Sequence, residues 1–266
     1  MWFLSNKVTV RDSGILEGFC DYHSHLLPGV DDGVEEMDET LQILREWQSV
    51  GVKEVWLTPH IMEDIPNEPA ELKKRFVALQ DCYHGNIKLN LAAEHMMDGL
   101  FMKNLNENDN PNLNLNDNLD ENEKENEKRR TKDEEVRVKV KTKLLVETSF
   151  FIPPMNMEAI IDCVKNKGYE PILAHPERYQ YMNKDDYRFW KRKGVLLQLN
   201  LPSLVGAYGP EEQYKAEWLL REGMYDYCGT DTHSLEQALF FLDSLISQKV
   251  VKKLRRLIQY QQVRNG

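Results

Sequence analysis

Short apolar runs alternate with amphipathic stretches along most of this chain, the pattern of β–α units built around a parallel sheet. Seven runs predict strands, at 19–23, 55–58, 87–94, 144–147, 171–175, 195–200 and 225–230. Stretches with apolar residues at helical spacing follow nearly all of them, at 37–50, 70–83, 157–167, 185–193, 211–222 and 235–247. A last helix is expected over 249–264, with Val251, Leu254 and Ile258 on one face and six bases but no acid along its length. A barrel-closing helix with a solvated basic face accounts for that pattern without a binding role. The expected architecture is an α/β barrel forming a single domain over residues 1–266.

One segment breaks the rhythm. Between the third and fourth strands, residues 104–126 hold 10 Asn among Glu, Asp and Lys, and Lys103 to Glu135 carries 11 acids against 6 bases, a net of −5. Such a stretch has too little apolar surface to build a core. It is expected to be a disordered or weakly ordered insertion at about 103–135. It also holds about half of the chain's formal charge of −10. A negative balance argues against a general nucleic-acid binder, which needs a basic surface for phosphates. No apolar run approaches the roughly 18 residues of a membrane helix, and Asn6 and Lys7 interrupt the Met1-Trp2-Phe3-Leu4 start before a signal-type core can form. The expectation is a cytoplasmic protein. Its four cysteines, at 20, 82, 163 and 228, have no Cys-x-x-Cys spacing, so neither a disulfide framework nor a zinc knuckle is suggested.

Polar residues supply the chemistry by where they fall. His23 and His25, His60, Glu94, Glu147, His175, and Asp231 with His233 each lie at, or just past, the C-terminal end of a predicted strand. The sixth strand ends in Asn200 instead. In a β/α barrel that is the face on which active sites are built. His-x-His and Asp-x-His at a strand end aim both side chains to one side, because alternate residues share a face. Asp32, in a Gly-Val-Asp-Asp-Gly turn, adds a returning carboxylate, although Asp-Asp-Gly is also ordinary turn chemistry. Five imidazoles and four carboxylates suit a cluster of two or three divalent metals. A carboxylate can bridge two of them, and Glu147, after the wholly apolar Leu144-Leu145-Val146, is the expected bridge. Arg178 lies three residues past His175, where its planar fork would reach phosphate oxygens; a salt bridge to Glu177 or Asp185 is its structural alternative. His95 would point away from Glu94, and His84 sits in a turn. No cysteine has the Cys-x5-Arg spacing of thiol phosphatases, so a cysteinyl-phosphate route is not expected.

Taken together, Asp21-Tyr22-His23-Ser24-His25-Leu26-Leu27-Pro28-Gly29-Val30-Asp31-Asp32-Gly33, Thr58-Pro59-His60, Ala93-Glu94, Val146-Glu147, Ala174-His175-Pro176-Glu177-Arg178-Tyr179 and Gly229-Thr230-Asp231-Thr232-His233 resemble the polymerase and histidinol phosphatase (PHP) superfamily. The nearer likeness is to bacterial capsule-type, manganese-dependent protein-tyrosine phosphatases. That resemblance implies a distorted (β/α)7 TIM-like barrel with a trinuclear site, usually Mn, Zn or Fe being the other candidates, that hydrolyses phosphotyrosine on proteins. It implies as partner the tyrosine-rich tail of a kinase controlling capsular or exopolysaccharide synthesis and export. His23, His25, Asp32, His60, Glu94, Glu147, His175, Asp231 and His233 match the family's metal ligands, Arg178 its phosphate-binding arginine, and Arg178, Glu147 and Asp32 are the expected catalytic groups. Three departures stand out: about 18 residues before the first barrel strand, the Asn-rich insertion, and Ile61 where many relatives have a second His. Two other functions fit the same residues: a PHP phosphoesterase acting on a small metabolite such as histidinol phosphate or on nucleic-acid ends, and a non-catalytic regulator of polysaccharide assembly.

Overall fold

Apolar residues dominate the middle strands, and in the computed structural model, which describes residues 6–107 and 142–265, those strands are covered on both faces. The elements run β1 (Lys7–Thr9), β2 (Cys20–Ser24), α1 (Met37–Ser49), β3 (Glu54–Leu57), β4 (His60–Ile61), α2 (Pro69–Cys82), β5 (Lys88–Leu91), β6 (Glu94–Met96), α3 (Phe101–Glu107) and β7 (Lys143–Glu147). They continue as α4 (Met157–Asn166), β8 (Glu170–Ala174), α5 (Lys184–Arg192), β9 (Leu196–Asn200), α6 (Pro210–Glu222), β10 (Tyr227–Gly229), α7 (Leu235–Asp243), β11 (Leu245–Ser247) and α8 (Gln248–Asn265). The result is a mixed α/β fold with parallel sheets and, among the described residues, eight α-helices.

Strand pairing assigns a parallel six-stranded sheet of order β10-β9-β8-β7-β6-β4 and a parallel three-stranded sheet of order β2-β3-β5, rather than one closed barrel sheet. The break has a local cause. Pro59 has no N–H to donate, so the predicted strand at 55–58 ends and β4 restarts at His60, while the predicted strand at 87–94 divides into β5 and β6 around Ala92-Ala93. Backbone bonds nevertheless cross the gap, from Ala92 N–H to Leu57 O at 2.8 Å and from Glu94 N–H to Pro59 O at 3.1 Å. The far edges approach as well: Asp231 N–H donates to His23 O at 2.8 Å and His25 N–H to Thr232 O at 2.9 Å.

Alternation along the strands sorts the core into two parts. Leu145, Ile172, Ala174, Leu196 and Tyr227 form a small cluster, while Leu144, Val146, Leu173 and Leu197 point into the main core with the helices. Helix α8 buries Val251, Leu254 and Ile258 as the periodicity predicts. The helix expected over 235–247 is shorter, because Leu245–Ser247 instead pairs antiparallel with β1 and buries Ile246 opposite Val8. Of the segment expected to be an insertion, Lys103 to Glu107 finish α3, with Leu105 buried, and 108–135 lie outside the described residues. Among the described residues no helix is long and apolar enough to cross a membrane.

Candidate metal centre

The C-terminal strand ends gather all nine sequence-predicted ligands. Three sets of donor atoms have mutual spacing short enough to hold an ion: His25, Asp32, His60 and His233; His23, His25, Glu94 and Asp231; and His60, Glu94 and Glu147. The sets overlap at His25, His60 and Glu94, which is the arrangement a multinuclear centre requires. His175 stands beside them, its Nε2 3.2 Å from Glu94 Oε1 and 3.8 Å from Glu147 Oε2. Eight of the nine are buried or nearly so, whereas the Asp32 side chain is 64% exposed and opens toward solvent next to His60 and His233.

Glu94, not Glu147, is the hub. Its Oε2 lies 3.1 Å from His23 Nε2, 3.3 Å from His25 Nε2 and 3.3 Å from His60 Nδ1, while Oε1 faces His175. Strand order explains this: β6 runs between β4 and β7, which sets Glu94 directly opposite His60 in the register. Among the described residues, Glu147 pairs with His60, at 3.0 Å, and His175, at 3.8 Å.

The charges in this cluster are finely opposed. Burial disfavours a charged Glu94 and a charged Asp231, but the surrounding imidazoles hold both carboxyls well below the usual range. Burial also opposes a charge on His25, yet Asp231, Asp31 and Glu94 raise it well above an ordinary histidine. For His60, burial and the His25 charge act downward, but Asp32, Glu147 and Glu94 carry it up to about 10. Protons on His23, His25 and His60 thus supply positive charge that the carboxylates demand, and a divalent metal would displace such protons to reach the same lone pairs.

A direct observation bears on whether these residues suit metal. His60 Nδ1, Glu94 Oε2 and Glu147 Oε1 are all buried, and among the described residues none makes a well-aligned hydrogen bond, although they stand 3.0–3.3 Å from one another or from the imidazoles of His23 and His25. Three such atoms converging within one donor set are expensive to leave unsatisfied. A shared cation satisfies all three at once, so the donor set fits.

Partners around the ligands were not all legible beforehand. Asp31, beside Asp32, accepts from His25 Nδ1 at 2.8 Å, from His60 N–H at 3.0 Å and from Gly33 N–H at 3.0 Å. Burial would push its carboxyl up, but the hydrogen bond and charge of His25 hold it down at about 2. This carboxylate–imidazole contact leaves His25 Nε2 facing the cluster, the usual way of fixing a metal-binding tautomer. Gln198 does the same for His23 through Nδ1 at 2.7 Å. A polar residue inside the apolar run of β9 was the available signal for Gln198. Replacing Asp31 with Asn is expected to weaken metal binding by about 10–100-fold with the fold retained; competition against a chromophoric chelator measures it, and unchanged affinity would deny Asp31 this orienting part.

Backbone strain and close approach mark the same place. His175 and Asp231 adopt left-handed φ values of 33° and 51°, a cost that non-glycine residues meet mostly at functional sites. A Cβ at Gly229 would fall 2.5 Å from His23 Cβ, so β10 can lie against β2 because that residue is glycine.

Arg178 pairs with neither Glu177 nor Asp185. Its Nη1 donates to Asp231 Oδ2 at 2.7 Å, an oxygen that Asn200 Nδ2 also approaches at 2.8 Å. Phe150 and Tyr208 stack on the guanidinium with ring centres 4.3 Å from its carbon. Glu177 instead accepts from Asn200 N–H and the Tyr225 hydroxyl. Phe150, Asn200 and Tyr208 were missed as site residues, and only Asn200, at a strand end, carried a signal.

Fold and site together define an α/β protein with a buried histidine–carboxylate cluster of the kind that binds several divalent metals. The family model for capsular polysaccharide synthesis proteins CpsB/CapC matches residues 19–133 and 121–254, and the chain belongs to that family. It is 26% identical over 235 residues to CapC of Staphylococcus aureus, covering 87% of this chain and 84% of that one. It is 23% identical over 223 residues to tyrosine-protein phosphatase YwqE of Bacillus subtilis, covering 83% and 79%. A solved structure from work on YwqE of Bacillus subtilis and CpsB of Streptococcus pneumoniae, described as metal-dependent tyrosine phosphatases, matches with a TM-score of 0.63 at 22% identity, over 91% of this chain and 94% of that one.

Proposed function

We propose that this protein is a metal-dependent phosphoesterase that hydrolyses phosphotyrosine on proteins, its substrate being the tail of the tyrosine kinase that controls polysaccharide synthesis and export. The convergence of three buried donor atoms without aligned hydrogen bonds, His60 Nδ1, Glu94 Oε2 and Glu147 Oε1, within one donor set carries the metal half of this reading. The names of the relatives support the phosphotyrosine half. His23, His25, Asp32, His60, Glu94, Glu147, His175, Asp231 and His233 would hold two or three ions, with Glu94 shared between sets. Mixed imidazole and carboxylate donors suit Mn, and also Zn or Fe. We place the site in one domain, with the two parallel sheets as arcs of a distorted (β/α)7 barrel; the backbone bonds joining Leu57 to Ala92 and His23 to Asp231 support that closure. The expected compartment is the cytoplasm.

A divalent metal held by these residues would supply Lewis-acid polarisation of phosphoryl oxygens and a lowered pKa for water. The chain's own groups do the rest. Arg178, held flat between two rings, presents its unpaired N–H groups to the equatorial oxygens on which charge spreads. Asp31 and Gln198 keep His25 and His23 in the tautomers that face the cluster. Asp32, exposed at the edge, sits where it can exchange a proton with solvent, and Glu147 keeps a carboxylate against His60. Hydrolysis of a phosphotyrosine peptide that Mn restores after chelation is the expected result, with histidinol phosphate a poorer substrate. Preference for the metabolite would overturn the substrate assignment, and a chelated protein that neither binds nor responds to Mn would favour a non-catalytic regulator.

A further inference from the structure

Three large apolar side chains face solvent within five residues: Phe151 is 66%, Ile152 71% and Met155 89% exposed. Single surface apolar residues are ordinary, but a cluster on one loop calls for a cause. The loop follows Glu147 directly, and residues 148–157 are ten consecutive uncharged positions in a chain that is 29% charged. That composition offers no counter-charge to an acidic or basic partner at this spot.

The loop is also held in place. Thr148 N–H donates to the Tyr179 hydroxyl at 3.2 Å, the Thr148 and Tyr181 hydroxyls lie 2.6 Å apart, and Gln180 N–H donates to Phe150 O at 2.8 Å. Met157 N–H closes the other end on Pro154 O at 3.2 Å, and Pro153 and Pro154 restrict the backbone between. Its tip therefore stays in position without being buried, the condition under which an apolar surface binds at low ordering cost.

Position ties this surface to the metal centre. Phe150 turns inward, its ring 4.3 Å from the Arg178 guanidinium and 5.6 Å from the His175 ring. Phe151, the next residue and so 3.8 Å on along the backbone, turns outward. On the far side of Arg178, Tyr208 walls a pocket that Pro202, Thr232 and Phe240 also line. Arg178 thus lies between the exposed apolar loop and a pocket of mixed lining, in which Glu236 and Gln237 join Pro202, Tyr208 and Phe240.

We infer that residues 151–155 form the surface on which a protein substrate lays the apolar side chains next to its phosphotyrosine. This rests on the phosphotyrosine reading above and narrows it, from any phosphotyrosine to one with aliphatic or aromatic neighbours. The test compares the Mn-loaded full chain with its Phe151→Ser/Ile152→Ser/Met155→Ser variant, whose changes are all at exposed positions. Substrates are 4-nitrophenyl phosphate, a phosphotyrosine peptide flanked by Ile and Phe, and one flanked by Gly and Ser. The variant is expected to lose about 10-fold in kcat/KM on the apolar-flanked peptide, through KM, and to stay within about 2-fold on the other two. A wild-type enzyme indifferent to flanking residues, or a variant equally impaired on all three, overturns the inference. So does a wild-type dimer that the variant splits, which assigns the loop to a second copy of the chain. Wild-type enzyme that hydrolyses the small ester but neither peptide overturns the phosphotyrosine reading itself, an outcome visible before any variant is made.

Discussion

Glu94→Gln is expected to cost at least about 100-fold in affinity for divalent metal, beyond the upper end of what loss of an outer partner such as Asp31 costs, and to abolish metal-dependent turnover with it. The substitution keeps the volume and one acceptor oxygen but removes the charge that four imidazoles share, those of His23, His25, His60 and His175. Gln also presents an NH2 group where two donor sets need a lone pair, so both sets that contain Glu94 fail together. Folding should survive, because Asp231 still faces His23 and His25 and Glu147 still faces His60. Metal content after dialysis, read beside circular dichroism, checks the claim. Retention of wild-type metal with full turnover would show that Glu94 is not the shared ligand, and returning that part to Glu147 would then be required.

The same residue shows what the sequence could and could not tell. Placement of the candidate ligands at strand ends was legible because a parallel α/β arrangement collects those ends, and His23, His60, Glu94 and Asp231 do meet there although they are far apart in the chain. Their ranking was not legible. An apolar run before Glu147 marks a buried strand but says nothing about neighbours across it, and β6, hidden in a longer predicted strand, is the one lying between β4 and β7. Asp31 and Asp32 make the point at closer range. Adjacent identical residues, they differ because the turn sends one into contact with His25 and leaves the other in solvent. Gly33 fixes that outcome, since a Cβ there would stand 2.2 Å from His25 O.

Helix and strand boundaries failed for a related reason. Leu235–Asp243 has a helical pattern that runs on to residue 247, yet Leu245–Ser247 finds in β1 a partner that local periodicity does not encode. The residues before β2, an unexplained extension in the sequence, thereby gain a structural use. Arg178 follows the same logic: Phe150 and Tyr208, which clasp it, come from separate segments with no spacing rule to join them.

Arg178→Ala should lower kcat by roughly 10²–10³-fold, the loss typical when one preorganised donor to a developing oxyanion is removed, with metal content near that of the wild type. Two effects compete here and the variant separates them. Arg178 neutralises Asp231 through the 2.7 Å contact, so its loss removes a counter-charge from a candidate ligand. Asn200 still donates to the same oxygen, and His23 and His25 still face the other. Asp231 therefore keeps enough partners to stay ordered, and a metal would find its carboxylate more available rather than less. Substrate binding in the ground state also relies on Arg178, so KM should rise as kcat falls. Arg178→Lys restores the charge without the planar fork and should recover only a small part of the rate. Kinetics on a phosphotyrosine peptide at saturating Mn, with metal per chain measured on the same samples, decide between the two parts. Substantial metal loss in the Ala variant, repaired by Lys together with the rate, would make Arg178 a positioning residue for Asp231 instead of a group that touches the phosphate.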